Sequence, residues 1–243
     1  MPGGSSAVRP ALETAPVWSP DDKQIAFASE RDGGRNLYRK ASSNVSNEEL
    51  LFKSDQPKTP TDWFHDMLLF ESQDPKNGTD ILVLTGAGGA PADVKVTPYL
   101  NTQFNERQAR VSPDGRFVAY TSDAANISEV YVQTFPDPKG GRWPISQGGG
   151  QFPHWSRDGK ELFYTVGAAG GVVPRMMSVA VTLSPQFKAG IPKVLFPVPP
   201  GSNAFDVTGN GQQFIKLAVA SATSDAQPAS INVVLNWAAG LRK

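Results

Sequence analysis

The sequence has no cysteine and only two histidines among its 243 residues. Disulfides, zinc–thiolate sites, iron–sulfur clusters and cysteine nucleophiles are therefore excluded, and the chain is compatible with either redox compartment. No apolar run approaches the roughly 18 to 20 residues of a membrane-spanning helix. Lys and Arg together number 23, as do Asp and Glu. This zero net charge argues against a dedicated nucleic-acid binder, which would need a basic excess.

Glycine and proline, in contrast, are abundant, with 23 and 21 residues. They fall between short apolar runs, which predicts many tight turns joining short strands. Residues 1–7 are predicted to be a flexible leader, because they are rich in Gly and Ser and lack the apolar core of a signal peptide. Residues 8–243 are long enough to bury a sizeable core, and we expect them to form a single domain.

One pattern returns five times along the chain, an aromatic residue or Val followed by a turn and a three-residue apolar step. Successive anchors of this repeat are 45, 48, 44 and 52 residues apart, which is the length of a four-stranded propeller blade. The tryptophan anchors are predicted to pack between blades. Turn residues such as Asp114 and Asp158 recur in the repeat, so we interpret them as backbone caps rather than ligands. The five anchors are Trp18, Trp63, Val111, Trp155 and Val207.

The sequence thus predicts an all-β fold, a β-propeller of about five four-stranded blades. A third strand is visible in every copy and a fourth in the first four, whereas no fourth strand follows the last copy. We expect residues 8–14 to pair with 231–235 and close the ring, since closure leaves no sheet edge exposed. An open arc completed by a second chain, and hence an oligomer, is the alternative. The second copy has a turn two residues shorter, which predicts a local distortion.

The repeat Pro-x-Trp-Ser-Pro-Asp-x-x-x-Ile-Ala-Phe, at 16–27, resembles the TolB-like, WD-type β-propeller repeats of bacteria. Segments 114–120, 129–133 and 158–164, with the tail 231–237, resemble more narrowly the carboxy-terminal propeller of bacterial serine/threonine kinases. The resemblance implies a soluble sensing or interaction module, periplasmic or otherwise extracytoplasmic. The chain has no kinase Gly-rich loop, His-Arg-Asp or Asp-Phe-Gly motif, and no Gly-x-Ser-x-Gly elbow of a serine hydrolase.

A candidate site emerges when the residue before each anchor is compared, because propellers place ligands where the innermost strands converge. Four of these five residues are ionisable. Asp62, His154 and Asp206 are ligand types for Ca²⁺, Mn²⁺ or Zn²⁺, which could activate water in the central channel. The alternative is a polar ring without a ligand, in which Arg110 pairs with an acid and His154 bonds across a blade interface.

Four further residues lie three or four positions earlier than this set, at the predicted channel mouth. Glu106 is a candidate catalytic base, and Arg107, Gln151 and Asn203 are candidates, with Arg110, for binding a ligand. Solvated loop residues are the simpler interpretation of these positions.

The first functional hypothesis is a non-catalytic propeller that binds a protein or a small molecule at its channel mouth. The loops expected to take part are 73–79, 101–107, 146–152 and 199–204. The alternative is a metal-dependent hydrolase of an ester, lactone or phosphoester, with Asp62, His154 and Asp206 as ligands and Glu106 as base. Neither hypothesis involves nucleic acid or a membrane span in this chain.

Overall fold

A computed structural model describes residues 12–43, 47–76, 78–167, 173–198, 205–208, 213–217 and 231–235. These ranges contain antiparallel strands and two single-turn 3₁₀ helices, Pro91–Asp93 and Pro138–Gly140, but no α-helix. None of the helices in these ranges is long and apolar enough to cross a membrane. The prediction of an all-β chain is confirmed.

The contacts within the chain divide it into two compact units. Residues 1–75 and 82–97 form the first unit, and residues 76–81 and 98–243 form the second. The expectation that 8–243 is a single domain stays a prediction.

Five antiparallel sheets follow one another along the chain, each built from consecutive strands. The first sheet contains β1 (Glu13–Trp18), β2 (Gln24–Ser29), β3 (Asn36–Ala41) and β4 (Glu49–Phe52), in that order. The second contains β5 (Lys58–Phe64), β6 (Met67–Asp74), β7 (Gly78–Thr85) and β8 (Lys95–Leu100). The third contains β9 (Glu106–Val111), β10 (Phe117–Ser122), β11 (Glu129–Thr134) and β12 (Arg142–Pro144).

The fourth sheet has an additional short strand at its outer edge. It contains β13 (Gln151–Trp155), β14 (Glu161–Val166), β15 (Arg175–Thr182), β16 (Lys188–Ala189) and β17 (Lys193–Pro197), with β16 and β17 both paired to β15. The fifth contains β18 (Phe205–Val207), β19 (Gln213–Leu217) and β20 (Ile231–Leu235). Each sheet is a meander, so the repeat found in the sequence corresponds to one sheet.

The last sheet has three strands in the described part of the chain, as the missing fourth strand of the sequence repeat predicts. The expected pairing of 8–14 with 231–235 is wrong for Glu13 and Thr14, which pair with Ser29 and Ala28 inside the first sheet. Residues 8–11 lie outside the described residues. Closure of the ring therefore stays a prediction.

The turn after the anchor has the same hydrogen bonds in three copies. In the third sheet Ser112 donates to Asp114 (2.7 Å) and accepts from the Phe117 amide (3.0 Å), while Gly115 has a φ of +73°. Partial burial raises the pKa of Asp114, but the hydrogen bonds from the Ser112 hydroxyl and from the side chain and amide of Arg116 outweigh burial and lower this pKa. The equivalent pairs are Ser19 with Asp21 and Ser156 with Asp158. These aspartates are turn caps, as predicted.

The shortened turn of the second sheet does not distort the sheet. Phe64 pairs directly with Met67, so His65 and Asp66 form a two-residue turn in which His65 has a φ of +52°. The one shift of register, between Pro60 and Asp62, has counterparts in the innermost strands of the first, third and fourth sheets. The prediction of a local distortion was wrong, because a two-residue turn suits a hairpin as well as a longer one.

Each unit has its own hydrophobic core. Trp63 is buried with Leu37, Leu68 and Phe70 in the first unit, and Trp155 is buried with Val130 and other apolar residues in the second. Trp18 differs, because 53% of its surface is exposed. Two of the three tryptophan anchors thus pack as expected, and the first does not.

Candidate functional site

The predicted channel residues lie at the ends of the innermost strands. Asp62 and Asp206 each accept a hydrogen bond from the amide of the following residue, at 2.9 and 2.8 Å. The His154 ring is 4.7 Å from the ring of Phe205. Burial, followed by the positive charge of Arg110, holds the pKa of His154 well below its usual value. His154 is therefore neutral at physiological pH, and Arg110 lies close enough to influence it.

In the part of the chain that the structure describes, no three His, Cys, Asp or Glu side chains lie together as a metal ion would require. Asp62 belongs to the first unit, while His154 and Asp206 belong to the second. A metal site formed by these three residues stays a prediction.

The residues predicted at the channel mouth have different environments. Arg107 is exposed and donates to the Asn105 side chain (3.2 Å), and Gln151 is half-buried with its carbonyl accepting from Thr165 (3.3 Å). Asn203 lies outside the described residues. Glu106 is not a solvated loop residue, because only 3% of its surface is exposed.

The buried polar residues at the ends of the strands form three equivalent clusters, which we call junctions. Each junction joins a residue at or near the start of a third strand to the segment that leads into the next innermost strand. The loop residues concerned lie nine, seven and five positions before the anchor. The first junction contains Asn36, Ser54, Gln56 and Lys58, the second Asp80, Thr102, Phe104 and Glu106, and the third Glu129, Ser146, Gly148 and Gly150.

The first junction surrounds a lysine that is completely buried. The Lys58 ammonium donates to the Asn36 side chain (3.1 Å) and to the carbonyls of Ser54 (2.9 Å) and Gln56 (2.6 Å). It also lies 5.5 Å from the centre of the Phe52 ring. Burial lowers the pKa of Lys58 to about 8, since no carboxylate is bonded to it. Neutral oxygens thus hold a cation inside this unit.

The third junction contains an acid whose bonds are made by donors of one loop. The Glu129 carboxylate accepts from the amides of Gly148 (2.7 Å) and Gly149 (3.0 Å) and from the Ser146 hydroxyl. Gly150 occupies the position of Lys58, and a side chain there would collide with Ser146, whose Cβ lies 2.7 Å from the added Cβ. The loop 146–150 is therefore held rigidly by one buried carboxylate.

The second junction brings two acids together. Asp80 is buried and accepts from the Asn101 side chain (3.2 Å), and Glu106 accepts from the Thr102 hydroxyl (2.6 Å). Burial raises the pKa of Glu106 to about 7, with a further contribution from the negative charge of Asp80. The second carboxylate oxygen of Glu106, Oε2, has no hydrogen-bond partner among the described residues. Such a buried unpaired acceptor is costly and requires an explanation.

An open cleft lies beside the third junction, within the second unit. Its volume is about 850 Å³, in the range of small-ligand pockets. One wall consists of the loop 144–149, and the other consists of side chains of β14, β15 and β17. Those side chains are Tyr164, Val166, Arg175, Met177 and Val194.

The rim of this cleft is both apolar and cationic. Ile191 is 85% exposed and Val194 is 46% exposed, although both are branched aliphatic residues. Arg175 is exposed and has no acidic partner among the described residues. Tyr131, which also lines the cleft, carries the guanidinium of Arg142 3.8 Å from its ring centre. The sequence predicted a role for the loop 146–152 at the channel mouth, and it did not predict this cleft, because nothing in a strand pattern distinguishes an uncovered face from a packed one.

These repeated four-stranded meanders define the chain as a β-propeller protein, and comparison with solved structures identifies the type. TolB from Acinetobacter baumannii has a TM-score of 0.69 at 19% identity, with 93% of this chain and 52% of that protein covered. TolB from Agrobacterium tumefaciens has a TM-score of 0.60 at 15% identity, covering 77% of this chain and 82% of that one. The fold is that of a TolB-like propeller.

Enzymes share the same architecture. An oligogalacturonate lyase from Vibrio parahaemolyticus has a TM-score of 0.55 at 11% identity, covering 92% of this chain and 75% of that protein. No protein-family model and no curated protein matches the chain. The chain spans about half the length of the Acinetobacter TolB. At these identities the similarity shows the fold alone, and the closer relation to kinase-linked propellers stays a prediction.

Proposed function

We propose that this chain is a non-catalytic binding module, and that the cleft bounded by 144–149, β14, β15 and β17 holds a segment of a partner protein. The observation that carries this proposal is the cleft itself, an open cavity of about 850 Å³ with exposed aliphatic residues at its rim. A cavity of this size with a few polar groups among aliphatic ones is typical of a binding site.

The rigidity of one wall supports the proposal. The Glu129 carboxylate fixes the loop from Ser146 to Gly149 with three hydrogen bonds, so binding does not have to order that loop. A preformed wall reduces the entropy lost on association. The exposed Arg175 at the other wall favours a segment that carries an acidic group next to an aliphatic one.

Selection of peptides from a random displayed library on the wild-type protein tests the proposal. Selected peptides should lose at least about tenfold in affinity, or roughly 1.4 kcal/mol, for the variant Val194→Asp. The variant Leu50→Asp is the matched control, because Leu50 is also a partly exposed aliphatic residue of an outer strand and lies in the other unit. Equal binding to all three proteins, or failure to select any peptide, would show that the cleft is not the binding site.

The metal-dependent hydrolase remains the rival proposal, with Asp62, His154 and Asp206 as ligands and Glu106 as base. A pKa of about 7 would suit a general base, but Glu106 is too deeply buried to reach a substrate without movement of its loop. Hydrolysis of esters or phosphoesters that is abolished by chelator and by Asp206→Ala would favour the hydrolase over the binding module.

A further inference from the structure

The second junction differs from its two counterparts in the charge of its buried side chains. The first junction holds a cation, Lys58, among neutral oxygens, and the third holds one acid with three donors. The second holds two acids, Asp80 and Glu106. In the part of the chain that the structure describes, Oε2 of Glu106 has no hydrogen-bond partner, although 97% of the residue is buried. A buried negative charge of this kind needs a positive partner.

The first junction shows which atoms surround a cation at this place in the repeat. The Lys58 ammonium is bonded to three oxygens, one from the first residue of β3 and two from the loop carbonyls nine and seven positions before the anchor. In the second junction the same positions are Asp80, Thr102 and Phe104, and Glu106 replaces the lysine. The second junction therefore has the oxygens without the cation.

Among the described residues no basic side chain is hydrogen-bonded to Oε2 of Glu106. Arg142 lowers the pKa of Glu106 by its charge, but its guanidinium is stacked on the Tyr131 ring. Arg107 is exposed and bonded to Asn105. Asp123, which accepts from the Asn105 amide (2.8 Å) and side chain (2.6 Å), adds negative charge near the junction.

We propose that the second junction is a binding site for a hard divalent cation, with Ca²⁺ as the reference ion. Its ligands are the carboxylates of Asp80 and Glu106 and the backbone carbonyls of Thr102 and Phe104, completed by water. Carboxylate and carbonyl oxygens in this combination are the ligands that Ca²⁺ prefers. The described residues contain no group of three acidic or histidine side chains, so this site depends on carbonyls for its remaining protein ligands.

Under this proposal the ion enters through the loop 101–104. Asn101, Thr102 and Gln103 are exposed, while the carboxylate that they cover is buried. Occupation of the site would fix this loop, one of those predicted from the sequence to bind a ligand. The proposal does not depend on the cleft, which lies at the third junction.

The test is thermal unfolding of the full chain at pH 8, after dialysis against chelator, with Ca²⁺ added to about 10 mM, above the weak end of the range for extracellular calcium modules. The melting temperature of the wild type should rise by several degrees. Glu106→Gln and Asp80→Asn should show no rise. Glu106→Lys should fold and be insensitive to Ca²⁺, because the first junction already accommodates a lysine at this position. Terbium luminescence, sensitised by nearby aromatic residues, provides a direct measure of binding.

Asp66→Asn is the control, because Asp66 is an exposed acid in the turn of the second sheet and should leave the Ca²⁺ response unchanged. An equal response in Glu106→Gln would overturn the assignment of the site. No response of the wild type to Ca²⁺, together with no terbium signal, would overturn the proposal. A wild type stabilised by acid alone would show that a proton, rather than a metal ion, neutralises the junction.

Discussion

Substitution of Lys58 tests whether the buried oxygens of a junction need a cation. The first junction suits this test because, among the described residues, no carboxylate is bonded to Lys58. Its side chain is completely buried and its ammonium donates three hydrogen bonds, to Asn36, Ser54 and Gln56. The variant Lys58→Met keeps most of the packing of the side chain but leaves these three oxygens without their donor. An unsatisfied buried polar group costs about 1 to 3 kcal/mol, so we expect a loss of about 2 to 4 kcal/mol, allowing for partial rehydration.

The variant Lys58→Ala separates the packing contribution from the hydrogen bonds. Relative to Met it removes one methylene, the sulfur and one methyl group, each counted at about 0.8 kcal/mol, so Lys58→Ala should be less stable than Lys58→Met by about 2 kcal/mol. Both values are obtained from urea unfolding followed by tryptophan fluorescence. If Lys58→Met were as stable as the wild type, the ammonium would have to be in contact with water, and the argument from buried oxygens would be wrong.

The pH dependence of stability, compared between the wild type and Lys58→Met, gives a second test of the burial of Lys58. The pKa of folded Lys58, about 8, lies below its usual value of 10.5, so between these values the unfolded chain holds a proton that the folded chain has released. Stability therefore rises with pH through this window. At 1.36 kcal/mol per pKa unit, the wild type should gain about 2 kcal/mol relative to Lys58→Met between pH 8 and 10. A loss over that range would contradict the lowered pKa of Lys58.

Two further predictions concern the turns and the third junction. Gly150→Ala should destabilise the protein by about 1 to 3 kcal/mol, since the added Cβ would lie 2.7 Å from that of Ser146. Gly88→Ala is the control and should have little effect, because the space around Gly88 is open. Equal melting temperatures of the two variants would refute the steric argument. Ser112→Ala should cost about 1 to 3 kcal/mol in urea unfolding, because the buried Phe117 amide loses its acceptor. Ser42→Ala is the exposed control, and a loss of the same size there would show that the turn bond has no special role.

Much of the fold could be predicted from the sequence because the blade repeats local chemistry. The turn after each anchor depends on residues only a few positions apart, such as Ser112, Asp114 and Gly115, so the sequence contains all the information needed. The same is true of the strands, whose apolar runs recur at a fixed distance from the anchors. The exposure of Trp18 could not be predicted in this way, because burial depends on what packs against a residue and not on its position in the repeat.

The buried polar contacts of the junctions could not be predicted from the sequence. Lys58 and Glu106 both lie five residues before an anchor, Trp63 and Val111, so the sequence shows that they are equivalent positions but not that both are buried. A lysine in a polar loop is usually solvated, and only the carbonyls of Ser54 and Gln56 reveal that this one is enclosed. Asp80 and Glu106 belong to strands of two different sheets, so no local pattern could predict that the charge of one raises the pKa of the other.

The cleft beside the third junction is the surface at which we expect a partner segment to bind. Hydrogen–deuterium exchange of the protein, measured with and without a peptide selected on it, tests this most directly. We expect slower exchange at Gln147 to Gly149 and along β14 and β15, with no change in the first unit. Protection confined to the loop 101–107, or to the first unit, would contradict the assignment of the cleft and place the binding surface elsewhere.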